Sequence, residues 1–178
     1  MLPVENLQEL QKILAFFNID FSNSFKGSKD LWKEIQNGEC ELVIEGDKLI
    51  RKVTVVNIIV RCGDQQLYET KQVKKDGSVR ERNLPYLAEK LSPSETLKEG
   101  ILRALKEELS LENIPPESGI KSIYKVDSEA PPSSYAGLES QYTVYQAVYQ
   151  LPEELYNPKG YMEQQSKKTV YFEWRSVQ

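Results

Sequence analysis

Leu7, Leu10, Ile13, Leu14 and Phe17 recur at the three- and four-residue spacing of a single helix face, so residues 4–17 are predicted as an amphipathic helix. A second helix is predicted to start with Ser28 as N-cap, carry Leu31, Trp32 and Ile35, and stop at Asn37-Gly38. The period then shortens to two. Residues 39–45 read as a strand, Gly46-Asp47 as a turn, and the β-branched run 48–62 as one bent strand or two. Gly63-Asp64 leads into a strand over 66–73, and Asp76-Gly77 marks a hairpin before 78–82. A third helix is predicted over 93–110, followed by alternating strands at 120–126, 140–151 and 169–174. Residues 127–138 and 152–168 read as loops. Tyr145 and Tyr149 share one face of the 140–151 strand and Tyr142 the other, a pattern of packing rather than recognition.

Strands, a central helix and further strands define an α/β protein with helices covering a mixed sheet. Residues 39–178 form the expected domain, and residues 1–38 a helical extension packed on it.

Composition narrows the chemistry more than the fold. A net charge of -4 argues against a protein that grips nucleic acid mainly through its phosphates. No apolar run reaches the length of a membrane span, and the N-terminal residues lack the basic start and apolar middle of a signal peptide. Cys40 and Cys62 are isolated, so free thiols in the cytoplasm or another reducing, soluble compartment are expected. The chain contains no histidine. That removes Ser-His-Asp and Cys-His catalysis and any histidine-based zinc site. What is left is carboxylates, Lys, Tyr, Cys, or a metal held by oxygen atoms, and oxygen donors favour Mg²⁺, Mn²⁺ or Ca²⁺.

The third helix is where the pattern points beyond folding. With Leu97 as reference and about 100° per residue, Ile101, Leu105, Leu109 and Leu102 fall at about 40°, 80°, 120° and 140°. Glu108 falls at about 20°, inside that apolar stripe, and Glu107 at about 280°, beside it. A carboxylate on a core face is costly unless a cation or metal pairs with it. Other acids of the segment have structural explanations. Ser92-Pro93-Ser94-Glu95 reads as a capping box with Ser92 as N-cap. Glu99, Arg103 and Glu107 stand four apart, as in a surface ion-pair ladder. Glu108 is explained by neither device, unless its side chain snorkels from a frayed last turn.

Residues 89–111 resemble the Nudix box, G-x5-E-x7-R-E-U-x-E-E-x-G-U with U aliphatic. Glu95, Arg103, Leu105, Glu107, Glu108 and Leu111 match it. Tyr171-Phe172-Glu173-Trp174 is similar to the aromatic strand that often closes the Nudix sheet. The resemblance spans roughly residues 50–176 and implies a Nudix-like α/β/α sandwich with a mixed sheet. It also implies a metal-dependent hydrolase of nucleoside diphosphate derivatives, with Glu107 and Glu108 as ligands of Mg²⁺ or Mn²⁺ and Glu95 paired with Arg103. Three positions depart from the box: Glu89 and Ser110 stand where it has glycine, and Ala104 where it has a metal-binding Glu. Ala104 falls at about 340°, between Glu107 and Glu108, so the central ligand is lost and the flanking two are kept. Fewer carboxylates mean weaker Mg²⁺ binding. Glu89 removes glycine's conformational freedom and is a possible substitute ligand.

The expected function is therefore a catalytically weakened or repurposed Nudix-like domain, binding a nucleotide-like ligand or a protein partner but neither nucleic acid nor membrane. The alternative is a divergent metal-dependent pyrophosphohydrolase. Candidate general bases are Glu129, Glu139, Glu153, Glu154 and Glu163. Ser133, Ser134, Tyr135 and Gly137 form a loop that reads as solvated, with hydroxyls and a stacking ring for a ligand as the functional alternative. Oligomeric state has no signature in the sequence.

Overall fold

The computed structural model describes residues 2–127 and 134–177. Glu129, Pro131, Pro132 and Ser133 lie outside the described residues. The α/β class expected from the sequence is the class observed, with helices α1 (Leu7–Phe16), α2 (Ser28–Gln36) and α3 (Leu97–Glu108) and a nine-stranded sheet. The strands are β1 (Glu41–Glu45), β2 (Lys48–Cys62), β3 (Gln65–Lys74), β4 (Val79–Leu84), β5 (Leu87–Leu91), β6 (Ile120–Val126), β7 (Glu139–Gln150), β8 (Tyr161–Gln164) and β9 (Lys168–Ser176). The sheet runs β6-β7-β2-β3-β9-β8, with β1 and β5 pairing β2 and β4 pairing β3.

The chain divides into two compact units. Residues 1–55, 90–95 and 126–144 make the first. Its core joins Leu10 and Leu14 of α1, Leu31 of α2, Leu42 of β1, and Leu49 and Val53 of β2, with Tyr135 and Leu138. The helices therefore share one apolar cluster with the β1–β2 hairpin, whose antiparallel register runs from Glu41↔Lys52 to Glu45↔Lys48. Tyr135 is 1% exposed and packs on Phe21 with ring centroids 5.2 Å apart. The loop expected to be solvated thus contributes a core ring, because an aromatic body gains more from burial than a turn gains from exposing it.

The second unit comprises residues 56–89, 96–125 and 145–178 and holds α3. β3 lies between β2 and β9 and also pairs β4, and β8 pairs β9, all of these pairings being antiparallel. A bulge between Glu69 and Lys71 leaves Thr70 as the extra residue of β3 opposite β9, while opposite β4 the extra residue of the same step lies on β4. Gly160 (φ 79°) starts β8 so close to β9 that a Cβ there would stand 2.0 Å from the Phe172 carbonyl oxygen.

Two elements were not legible as strands, β5 and β8, the latter inside the predicted 152–168 loop. Both are short and irregular in hydrophobic alternation, so tertiary pairing decides them. The run 48–62 is one continuous strand. α3 starts later than predicted: Thr96 is its N-cap, and the capping box is Thr96 with Glu99. Ser92 and Glu95 use the same chemistry in a preceding turn, Glu95 N–H donating to the Ser92 carbonyl and Ser92 N–H to Glu95 Oε1. Two consecutive S/T-x-x-E patterns, 92–95 and 96–99, stand in this stretch, and the one adjoining the apolar stripe caps the helix. Among the described residues, no helix is long and apolar enough to cross a membrane.

Candidate functional site

α3 buries Ile101, Ala104 and Leu105 completely, as the helical wheel requires. Its end is a Schellman motif: Leu111 N–H donates to the Lys106 carbonyl and Ser110 N–H to the Glu107 carbonyl. Ser110 takes the left-handed conformation (φ 51°) that glycine would adopt freely. Its hydroxyl donates to the Met162 carbonyl at 2.9 Å, a tie between α3 and β8 that glycine could not make. Glu89, at the other glycine position of the box, sits in β5 with an ordinary strand backbone.

Three carboxylates of the second unit act on a fourth, Glu108. Burial is the main force pushing the Glu108 carboxyl up to about 9, followed by the charges of Glu163, Glu89 and Glu69 and a hydrogen bond with Glu163. The four acids come from α3, β8, β5 and β3 respectively. Glu89 is also raised, chiefly by burial, against the lowering effect of Arg103 and with Glu107 and Glu163 adding to it. Arg103 Nη1 donates to Glu89 Oε1 at 3.0 Å and to Glu107 Oε2 at 3.1 Å. Glu69 is 6% exposed, and its Oε1 accepts from Gln72 Nε2 at 2.7 Å and Arg82 Nε at 3.1 Å. Glu163 Oε2 accepts from Gln165 Nε2 at 2.5 Å. The cluster is thus acidic at its centre and bordered by two arginines and two amides.

Of the residues singled out in the sequence, Glu108, Glu89 and Glu163 meet in this cluster. Glu107 is exposed and joined to Arg103. Ala104, the alanine at a position where the box motif has Glu, is fully buried, its methyl group packed in the core. Glu95 belongs to the first unit, where it caps the Ser92 turn. Among the other candidate bases, Glu139 is in the first unit and pairs with Lys48 at 3.2 Å, while Glu153 and Glu154 are exposed on a one-turn 3₁₀ helix. Sequence reasoning missed Glu69 and Arg82. Glu69 stands two residues after Leu67, in the inward phase of β3, and that is the signal that could have found it. A cavity of about 430 Å³ also lies in this unit, lined by Leu109, Ser110, Lys159, Tyr161, Met162 and Tyr171 among others, and none of the four acids lines it.

No protein-family model matches the chain, and no curated protein sequence matches it. Solved structures are similar to it. One is described as a NUDIX hydrolase from Nitrosomonas europaea, at 14% identity over 68% of this chain and 72% of that one, with a TM-score of 0.39. Another is the E. coli ORF135 protein, at 14% identity over 70% and 74% and a TM-score of 0.37. A third is described as an ADP compounds hydrolase, at 15% identity over 75% of each chain and a TM-score of 0.35. These are likenesses of fold, and with TM-scores below 0.5 they carry nothing about the chemistry of this chain.

Proposed function

We propose that the chain is a Nudix-like domain with a degenerate box that binds a nucleotide-like, phosphorylated ligand at the Glu108 face, its catalysis weakened by Ala104. The observation that carries this reading is the convergence of half-buried Glu108 with buried Glu69 and half-buried Glu89 and Glu163. A fold gains nothing from turning Glu108 toward three other carboxylates, since burial and like charge both oppose its ionisation. A divalent cation bridging such acids to phosphate oxygens reverses both penalties.

The donors are oxygen only, which suits Mg²⁺ or Mn²⁺. Among the described residues, no three His, Cys, Asp or Glu side chains are grouped as a coordination shell. The donor chemistry therefore fits, but as a weak, open site. Glu108 would be the principal holder, with Glu163 beside it and Glu107 at the exposed rim. When bound, the metal would supply charge stabilisation at a pyrophosphate and lower the pKa of a water. Arg103, fixed between Glu89 and Glu107, orients both carboxylates.

The second reading is a divergent metal-dependent pyrophosphohydrolase. It is favoured by Glu69 and Glu163, two acids outside the box that could compensate for Ala104. Both readings are separated by thermal shift and phosphate release with nucleotide sugars, dinucleotides and nucleoside triphosphates, with and without Mg²⁺. Stabilisation by a nucleoside diphosphate derivative plus Mg²⁺, lost in Glu108→Gln and unaccompanied by turnover, is the expected result. Turnover abolished by Glu108→Gln would establish the enzyme instead. Neither binding nor turnover with any of these ligands would overturn both.

A further inference from the structure

Strand register places a second charged feature on the same face of the sheet as the acids. Glu69 pairs with Phe172, so those two side chains share a face, and after the bulge Gln72 pairs with Val170 on that face again. The Gln72 row extends to Arg80 on β4 and, through Val170, to Glu163 on β8. The next row on this face is Lys74 directly opposite Lys168. It lies about 7 Å beyond the Glu163 row, two residues at the strand rise of about 3.3 Å. Lys71 is excluded from it, because it pairs with Tyr171 on the opposite face and lies 5.3 Å from that ring's centroid.

Two lysines directly across an antiparallel ladder repel one another. Among the described residues, neither they nor Arg80 form a salt bridge. The nearby acid is Asp76, held by the Ser78 N–H and hydroxyl and influenced by Lys74. Lysines often blunt the edges of sheets against aggregation. That explanation fails here, because at this end β3 is flanked by β4 and β9, its Lys74 N–H donating to the Ser78 carbonyl, and β9 by β3 and β8, Gln165 N–H donating to the Lys168 carbonyl. The cations are therefore an unexplained cost on two interior strands of an acidic protein.

We infer that Lys74, Lys168 and Arg80 form an anion subsite that takes a second phosphate of the ligand, so that the ligand class is a nucleotide derivative phosphorylated at two separated positions. This rests on the reading of the Glu108 face as a phosphate-binding face and extends it by one row of the sheet. Recognition is by point charges on flexible stems, with Arg80 able to grip two oxygens at once.

Inorganic tripolyphosphate, titrated calorimetrically into the whole chain without divalent metal, is the direct probe. The wild type should bind it, Lys74→Ala/Lys168→Ala should bind at least fivefold more weakly, and Arg80→Glu should weaken it comparably. Glu108→Gln should leave it unchanged, which separates this subsite from the acid-face proposal: loss of the Mg²⁺-dependent response in that variant, or its absence in the wild type, bears on the acid face alone. The double lysine variant should melt no lower than wild type, since the repulsive pair is removed. Equal tripolyphosphate affinity in wild type and double variant, or no binding by wild type, would overturn the subsite. So would binding of a single-stranded oligonucleotide that rises with strand length while tripolyphosphate is ignored, because the cations would then serve a nucleic-acid backbone.

Discussion

The two units each bury charge, and they do so in opposite ways. In the first, Arg51 is 3% exposed and Glu34 5%. Arg51 Nε and Nη2 reach Glu34 Oε2 at 3.2 and 2.5 Å, and Nη1 donates to the Tyr142 hydroxyl at 3.1 Å. The guanidinium lies 5.3 Å from the Tyr135 ring and 5.8 Å from that of Tyr142. Lys26 adds a 2.6 Å contact to the other Glu34 oxygen. Burial works against the Glu34 charge, but Lys26, Arg51 and Lys90 outweigh it and hold the carboxyl below its usual range. In the second unit Glu69 and Glu89 are paired with Arg82 and Arg103, but among the described residues Glu108 and Glu163 form no salt bridge, and Glu108 is raised instead. A compensated cluster fixes structure. An uncompensated one stores an affinity for cations, and the direction of the pKa shift tells the two apart.

The largest effect should come from breaking the compensated cluster. Arg51→Met leaves Glu34 buried with Lys26 and a more distant Lys90, and should cost about 3–5 kcal/mol, toward the lower end because Lys26 remains. Urea unfolding measures it. Restoration of most of the loss by Glu34→Leu in the same chain is expected, since a dry apolar pair needs no partner. A single variant as stable as wild type would show that the pairing contributes no stability.

The uncompensated cluster should respond with the opposite sign. A carboxyl whose folded pKa is about 9 against 4.5 unfolded binds more protons in the folded state between those values. Its contribution is fully present below about pH 4.5 and is lost as pH rises toward 9. Glu108→Gln should therefore raise stability at pH 8 by roughly 1–2 kcal/mol and change it little at pH 4.5. Thermal melts across pH read this directly. Mg²⁺ should stabilise wild type more at pH 8 than at pH 5, and the Gln variant at neither, because the cation competes with the proton. Parallel melting curves for the two proteins at all pH values would remove the distinction between the units.

The same contrast governs what the sequence could reveal. Helix α3 and its inward acid were legible because a 3.6-residue period places Glu108 among leucines without any knowledge of tertiary contacts. Arg51 was equally out of phase, standing between Leu49 and Val53 on the buried side of β2, yet nothing local names Glu34 as its partner from a separate helix. Glu69 and Glu163 reach Glu108 only through the pairing of β3, β9 and β8, and β8 itself carried no readable strand period. Spacing within one element survives in the sequence; register between elements is set by the fold. Ser110 marks an intermediate case. Its position was legible as a departure from glycine, but its positive φ and its bond to Met162 depend on the helix end and on β8, which the spacing does not encode.

The smallest effect tests whether compensation in the first unit is complete. Tyr142→Phe keeps the aromatic face beside Arg51 and removes only the oxygen that accepts from Nη1. With the ion pair to Glu34 intact, the loss should be about 1 kcal/mol, the cost of leaving one buried donor without its acceptor. In the Arg51→Met background the same substitution should cost almost nothing, since the donor is gone, so a double-mutant cycle isolates the bond. A Tyr142→Phe cost that is equal in both backgrounds would mean the hydroxyl stabilises the first unit through some contact other than Arg51, and the charge there is held by Glu34 and Lys26 alone.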